Sequence, residues 1–202
     1  MTAFSFGDRL VIGVDEAGRG PLAGPVVAGA VVLCDGGVAG LADSKKLAAA
    51  RRGVLEGEIK TRCRWAVGVV DVDEIDRRNI FGATMLAMAL AVGALCRELA
   101  REPDEVLVDG NLTPAGRLPE WRWTARAIVG GDGCEPCISA ASIIAKEHRD
   151  RLMREYALQH PQYGWERNAG YGTPEHLAAL REHGPSPLHR RSFAPVAQLV
   201  LI

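Results

Sequence analysis

The chain alternates between short β-branched apolar runs and longer stretches of helical periodicity. Residues 9–14 and 26–33 read as strands, rich in valine and bounded by Gly or Pro. "CRWAVGVV" (63–70), "EVLVDG" (105–110) and "WTARAIVGGDG" (123–133) read as three more. A helix-like stretch covers about 48–60, and "DVDEIDRRN" (71–79) reads as a short acidic helix or turn. The clearest helix spans about 80–100, where Phe81, Met85, Met88, Val92, Leu95 and Leu99 recur in three- and four-residue steps. Pro103 prevents its continuation. Further helices are predicted at about 136–159, with proline in the first turn, and 174–183, behind Thr173 as N-cap.

Strands come first with tight connections, then alternate with helices. That order predicts three antiparallel strands followed by two added in parallel through helical crossovers. The expected fold is α/β: a mixed five-stranded sheet with helices on both faces, one domain over 1–202, and a small C-terminal helical region from about 160.

Composition changes this picture little. The 202 residues are 48% hydrophobic and 24% charged, with a net charge of −1. No apolar run reaches the roughly 18 residues that span a bilayer, and "MTAFSFGDRL" lacks the basic start and apolar core of a secretion signal. The expectation is a cytoplasmic protein, monomeric by default. Charge near zero disfavours nonspecific polyanion binding but permits a local basic patch. Cys34, Cys63 and Cys96 stand singly among apolar residues, as small core hydrophobes do. Cys134 and Cys137 form a C-x-x-C with neither a second C-x-x-C nor an H-x-x-x-H, so a zinc or redox site is not expected. Only four basic residues are lysines: Lys45, Lys46, Lys60 and Lys146.

Three predicted strands end in acids: Asp15-Glu16, Asp109 and Asp132. Singly, each acid has an ordinary reading as a turn residue, a helix cap or a solvated loop charge. At the carboxyl ends of neighbouring strands in an open sheet, however, they share one edge, where functional sites gather. Parallel neighbours would place Asp15 roughly 5 Å from Asp109. Unneutralised carboxylates that close repel, and they suit hard divalent ions that take oxygen ligands. "GRGPLAG" (18–24) superficially resembles a phosphate-cradling loop, yet a strand follows it where a dinucleotide loop would open a helix. Gly18 and Gly20 instead let main-chain groups approach a substrate closely, a means of recognising a sugar hydroxyl irrespective of base.

"GVDEAGRGPLAGPVV" resembles the signature of the type 2 ribonuclease H family, the bacterial ribonuclease HII enzymes. "LADSKKL", "EIDRRNIFGATMLAM", "VLVDGN", "ISAASIIAK", "RDRLM", "YGWERNAGYGT" and "HRRSFAPV" resemble further family motifs in family order, over about 10–196. The resemblance implies a ribonuclease H-like sheet. It also implies endonucleolytic cleavage of RNA in RNA/DNA hybrids and at single ribonucleotides in duplex DNA, leaving 5′-phosphate and 3′-hydroxyl ends. Asp15, Glu16, Asp109 and Asp132 would be the catalytic acids, holding two divalent cations, Mn²⁺ or Mg²⁺. Gly18, Arg19 and Gly20 would read the 2′-hydroxyl that separates RNA from DNA. Tyr171 would stack on the adjacent deoxyribose. Lys45, Lys46, Lys146 and the run His189, Arg190, Arg191 would contact phosphates. A nuclease of the same fold acting on all-DNA substrates would gain nothing from the "GRG" loop, and a noncatalytic hybrid-binding module would leave the acids unexplained.

The chain departs from the family pattern at two positions. Gly130 and Ala169 stand where relatives often carry lysine, which puts phosphate contacts near the third and fourth acids in doubt. "QLVLI", residues 198–202, resembles the peptide by which bacterial proteins dock on the sliding clamp, although apolar tails more often pack on their own domain.

Overall fold

The computed structural model describes residues 9–44 and 46–200. Strands β1 (Val11–Ala17), β2 (Val26–Val32), β3 (Arg64–Val70), β4 (Glu105–Asp109) and β5 (Ala125–Ile128) form one sheet in the order β3-β2-β1-β4-β5. The first three pair antiparallel, and β1-β4 and β4-β5 pair parallel. This is the predicted mixed topology. Two connections differ from the expected tight turn and helical crossover: β2 reaches β3 through residues 33–63, which include a helix, and β4 reaches β5 through residues 110–124, which include none.

Helix α1 (Ala49–Arg62) precedes β3, and α2 (Val72–Leu99) joins β3 to β4. The acidic stretch is the first part of α2, N-capped by Asp71, which accepts the Glu74 N–H at 3.1 Å. The helix breaks at Asn79 (φ 61°, ψ 167°), whose Oδ1 accepts the N–H groups of Phe81 and Gly82 and so caps the apolar segment. Within α2, an 18-residue window has a mean hydropathy of 1.8 and the length to cross a membrane, contrary to the sequence expectation. Here that surface packs on one face of the sheet, around Ile12, Val14, Ala28 and Ala30.

The other face carries α4 (Pro136–Gln159), preceded by the one-turn α3 (Gly131–Cys134). Close contact is possible because the sheet presents glycines there. A Cβ on Gly13 would lie 2.3 Å from the Cys137 carbonyl carbon, and one on Gly29 would lie 2.4 Å from the Ala141 carbonyl oxygen. By strand alternation Asp15 shares the face of Gly13, so its carboxyl looks toward α4. Helices α5 (Trp165–Asn168), α6 (Pro174–His183) and α7 (Ala194–Val200) follow a 3₁₀ turn at Pro161–Tyr163. They build a second core of Tyr163, Trp165, Leu180 and Val196 against Leu22 and Ala23, beside the glycine-rich loop. Cys34, Cys63 and Cys96 are buried, as expected.

Candidate active site

The site begins with register. Val14 pairs with Val108 across the parallel β1-β4 ladder, so the next residues along, Asp15 and Asp109, emerge side by side at the strand ends. The third acid arrives differently from the sequence expectation. The fifth strand does not run to Gly133: β5 stops at Ile128, and Gly130 takes the left-handed conformation (φ 67°). Asp132 therefore lies in the first turn of α3, where its N–H donates to Asp109 Oδ1 at 3.2 Å. The carboxylate oxygens of Asp15, Asp109 and Asp132 lie within 4.8 Å of one another.

This is an electrostatically expensive arrangement. Burial first, then the charges of Glu16 and Asp109, pushes the Asp15 carboxyl well above its ordinary range, against hydrogen bonds from Ser142 and the Glu16 N–H. The donor set is all hard oxygen, which fits Mg²⁺ or Mn²⁺ and not a soft metal. Glu16 is adjacent but outside the three-acid set, and its Oε1 accepts from Arg19 Nη1 at 3.3 Å. Cys134 is exposed, and neither it nor Cys137 belongs to the set.

Beside the acids opens a cavity of about 300 Å³, lined by Gly18, Arg19, Gly20, Ser142, Lys146 and Tyr171, among others. Gly18 has φ +97°, and a Cβ there would meet Arg149 Nε at 2.1 Å, so both backbone and packing require glycine. A Cβ on Gly20 would meet only the Tyr171 ring, at 3.5 Å. Tyr171 is 48% exposed, so its ring is open to solvent and not part of the core. Lys146 Nζ donates to Asp150 at 2.7 Å on the cavity wall. Lys46 is exposed, 3.8 Å from Asp43, and Lys45 lies outside the described residues.

The run His189-Arg190-Arg191 requires correction. Only Arg191 is exposed, whereas Arg190 is 0% and His189 1% exposed, so neither can reach a phosphate. Arg190 instead donates to the carbonyls of Gly18, Arg19, Gly24 and Pro25. His189 Nδ1 accepts the Ser186 N–H at 2.9 Å, which leaves its Nε2 to donate to His176 Nε2 at 3.0 Å. His176 Nε2 also accepts from Trp165, so its Nδ1–H donates to the Tyr171 carbonyl at 2.9 Å. Burial is the largest cause in lowering both imidazoles, His189 to about 3.

Two residues here carried no assigned role in the sequence reading. Ser142 reaches Asp15 from α4, and its Oγ lies 2.7 Å from Ser44 Oγ. Arg149, 1% exposed, donates to the carbonyls of Ala23, Pro25 and Ala169. Both sit in stretches resembling family motifs, but a hydroxyl or guanidinium that turns inward has no periodic signature. The tail is partly described: α7 buries Val196 and packs Leu199 on the C-terminal core, while residues 201 and 202 lie outside the described residues.

A mixed five-stranded sheet with three clustered carboxylates at its rim and the glycine-loop cavity beside them is the arrangement of the ribonuclease H-like class, and its oxygen donors suit divalent-metal hydrolysis. Sequence comparison narrows this. The ribonuclease HII family model matches residues 12–196. A ribonuclease HII from Novosphingobium aromaticivorans is 80% identical over 195 residues, covering 96% of this chain and 100% of the relative. One from Erythrobacter litoralis is 67% identical, covering 93% and 89%. Among solved structures, the ribonuclease H2 of Pyrococcus horikoshii is 27% identical with a TM-score of 0.76, covering 94% of this chain and 96% of that one. The RNase HII of Archaeoglobus fulgidus, solved as its complex with PCNA, is 26% identical with a TM-score of 0.72, covering 90% and 93%. The chain belongs to the ribonuclease HII family and is a metal-dependent ribonuclease H hydrolase.

Proposed function

We propose that this enzyme cleaves the RNA strand of RNA/DNA hybrids and also incises duplex DNA at single embedded ribonucleotides, leaving 5′-phosphate and 3′-hydroxyl ends. The observation that carries this reading is the placement of three carboxylates within 4.8 Å of one another beside the cavity of the glycine loop. Asp15, Asp109 and Asp132, with Glu16 beside them, would hold two divalent cations. Such ions supply a nucleophilic water and stabilise the leaving oxygen. The chain's own part is positioning. Main-chain groups of Gly18, Arg19 and Gly20 receive the 2′-hydroxyl, and Tyr171 offers its exposed ring to the neighbouring deoxyribose. Lys46, Lys146 and Arg191 meet phosphates, as does Lys45, next to Lys46 in sequence.

The test is a duplex DNA carrying one ribonucleotide, incubated with Mg²⁺, Mn²⁺ or chelator. Incision at the ribonucleotide with metal and none with chelator is expected. Equal cutting of an all-DNA duplex would overturn the reading. For the tail, residues 198–202 are proposed as a sliding-clamp peptide in competition with the packing of Leu199. If deleting them lowers stability and leaves clamp affinity unchanged, packing is their role.

A further inference from the structure

The glycine loop rests on two buried cations. Arg190 donates through Nη2 to the Gly18 carbonyl at 2.6 Å, through Nη1 to Arg19 at 3.0 Å, through Nε to Gly24 at 2.9 Å and through Nη2 to Pro25 at 3.1 Å. Arg149 donates to Pro25 at 2.9 Å, Ala23 at 3.1 Å and Ala169 at 3.0 Å. Every one of these acceptors is a main-chain carbonyl.

That pattern fixes more than the loop's position. The Gly18 carbonyl shares its peptide unit with the Arg19 N–H, and the Arg19 carbonyl shares its unit with the Gly20 N–H. Among the described residues every peptide bond is trans, so the N–H of each unit points opposite its C=O. With both carbonyls drawn inward onto a guanidinium that is 0% exposed, the two N–H groups turn outward. Outward is where Arg19 and Gly20 are exposed and line the cavity. Successive N–H groups aimed at one spot make a concave donor site for an oxygen. Arg149 joins this loop to the turn before Tyr171, because it grips Ala23 and Pro25 on one side and Ala169 on the other.

We propose that Arg149 and Arg190 are positioning residues for ribose recognition: they orient the 18–19 and 19–20 peptide units so that the Arg19 and Gly20 N–H groups donate to the 2′-oxygen. They also set the span from those donors to Tyr171. This inference rests on the proposed reading of the loop as the 2′-hydroxyl sensor. A planar fork with five donors is needed to hold carbonyls from several directions, and a lysine ammonium cannot reproduce it.

The experiment compares wild type, Arg190→Lys and Arg149→Lys. Affinities are measured in chelator for a duplex with one ribonucleotide and for its all-DNA counterpart, and kcat and KM are measured with Mn²⁺ on the first. In folded variants, affinity for the ribonucleotide duplex should fall about tenfold or more, with the all-DNA affinity within about twofold of wild type. An unchanged preference in a folded variant overturns the proposal and leaves the arginines as pins. If wild type itself shows no preference, the reading of the loop fails instead. Amide hydrogen exchange on wild type needs no variant. The Arg19 and Gly20 amides should exchange freely alone and become protected by the ribonucleotide duplex in chelator, but not by all-DNA. Protection already present in the free protein would overturn the proposed orientation.

Discussion

Two collections of like charge flank the same loop, and they are neutralised in different ways. On one side Asp15, Asp109 and Asp132 crowd together. On the other, Arg149 and Arg190 are buried near each other, and Arg149 adds to the burial that pushes Arg190 down to about 9. Assembling either cluster costs free energy. The guanidiniums are compensated within the fold, by carbonyl dipoles that would otherwise lack donors. The carboxylates receive N–H and hydroxyl contacts that leave Asp15 strongly perturbed. A cluster bonded by the chain's own carbonyls is architecture, whereas crowded carboxylates that perturb Asp15 offer oxygen ligands suited to a divalent cation.

Several changes would break or sharpen this contrast. The largest effect belongs to the acids. Asp109→Asn should lower cleavage by about a thousandfold or more while leaving the far-UV spectrum and melting transition intact. Manganese at a hundredfold excess over its dissociation constant should stabilise wild type by about 2.7 kcal/mol, and the variant should lose most of that gain in calorimetry. A variant that cuts normally would remove Asp109 from the site.

The opposite behaviour is expected of the cationic side. Arg149→Met should cost about 2 kcal/mol or more in denaturant unfolding, because it strands the buried Ala23 carbonyl and the half-buried Ala169 carbonyl and leaves Pro25 to Arg190 alone. A loss below about 1 kcal/mol would mean those carbonyls find water.

Acid should probe the histidine chain beneath Tyr171. His189 titrates at about 3 in the fold, against an ordinary value of 6.5, so it folds neutral and the unfolded chain takes up protons first. Its contribution is complete above about pH 6.5 and is lost as pH falls toward 3. Between pH 7.5 and 5 the loss should be about 2 kcal/mol. His189→Gln should flatten that dependence, and an equally steep profile would assign it elsewhere.

Smaller effects separate the two glycines and test the loop's neighbour. Gly18→Ala should destabilise by about 1–3 kcal/mol, since φ +97° and Arg149 both oppose a side chain. Gly20→Ala should change stability by less than about 1 kcal/mol yet raise KM for the ribonucleotide duplex. Ala169→Gly, at φ 48°, should stabilise by about 1 kcal/mol by relieving a left-handed alanine.

Much of this was legible in the chain. Short β-branched runs bounded by Gly or Pro gave the strands, and their order gave the sheet. The acids at strand ends gave the cluster, with Asp109 placed as read. Asp132 was found for a partly wrong reason, because the left-handed turn at Gly130 cuts the fifth strand short and α3 delivers the acid. Arg190 was misread because an arginine beside another arginine looks like a solvated patch. Its acceptors lie as far as 172 residues away, and no local pattern records such a pairing. The roles of Arg149 and Ser142 were hidden for the same reason: each turns inward to groups contributed by distant segments.

The link from Arg190 to Gly18 has a consequence for the order of synthesis. The strand bearing Asp15 is made before Arg190, whose guanidinium bonds the Gly18 carbonyl 172 residues upstream. At ordinary translation speeds that interval is roughly 10–30 s. A nascent chain therefore carries its acids well before it holds the guanidinium that bonds the adjoining turn.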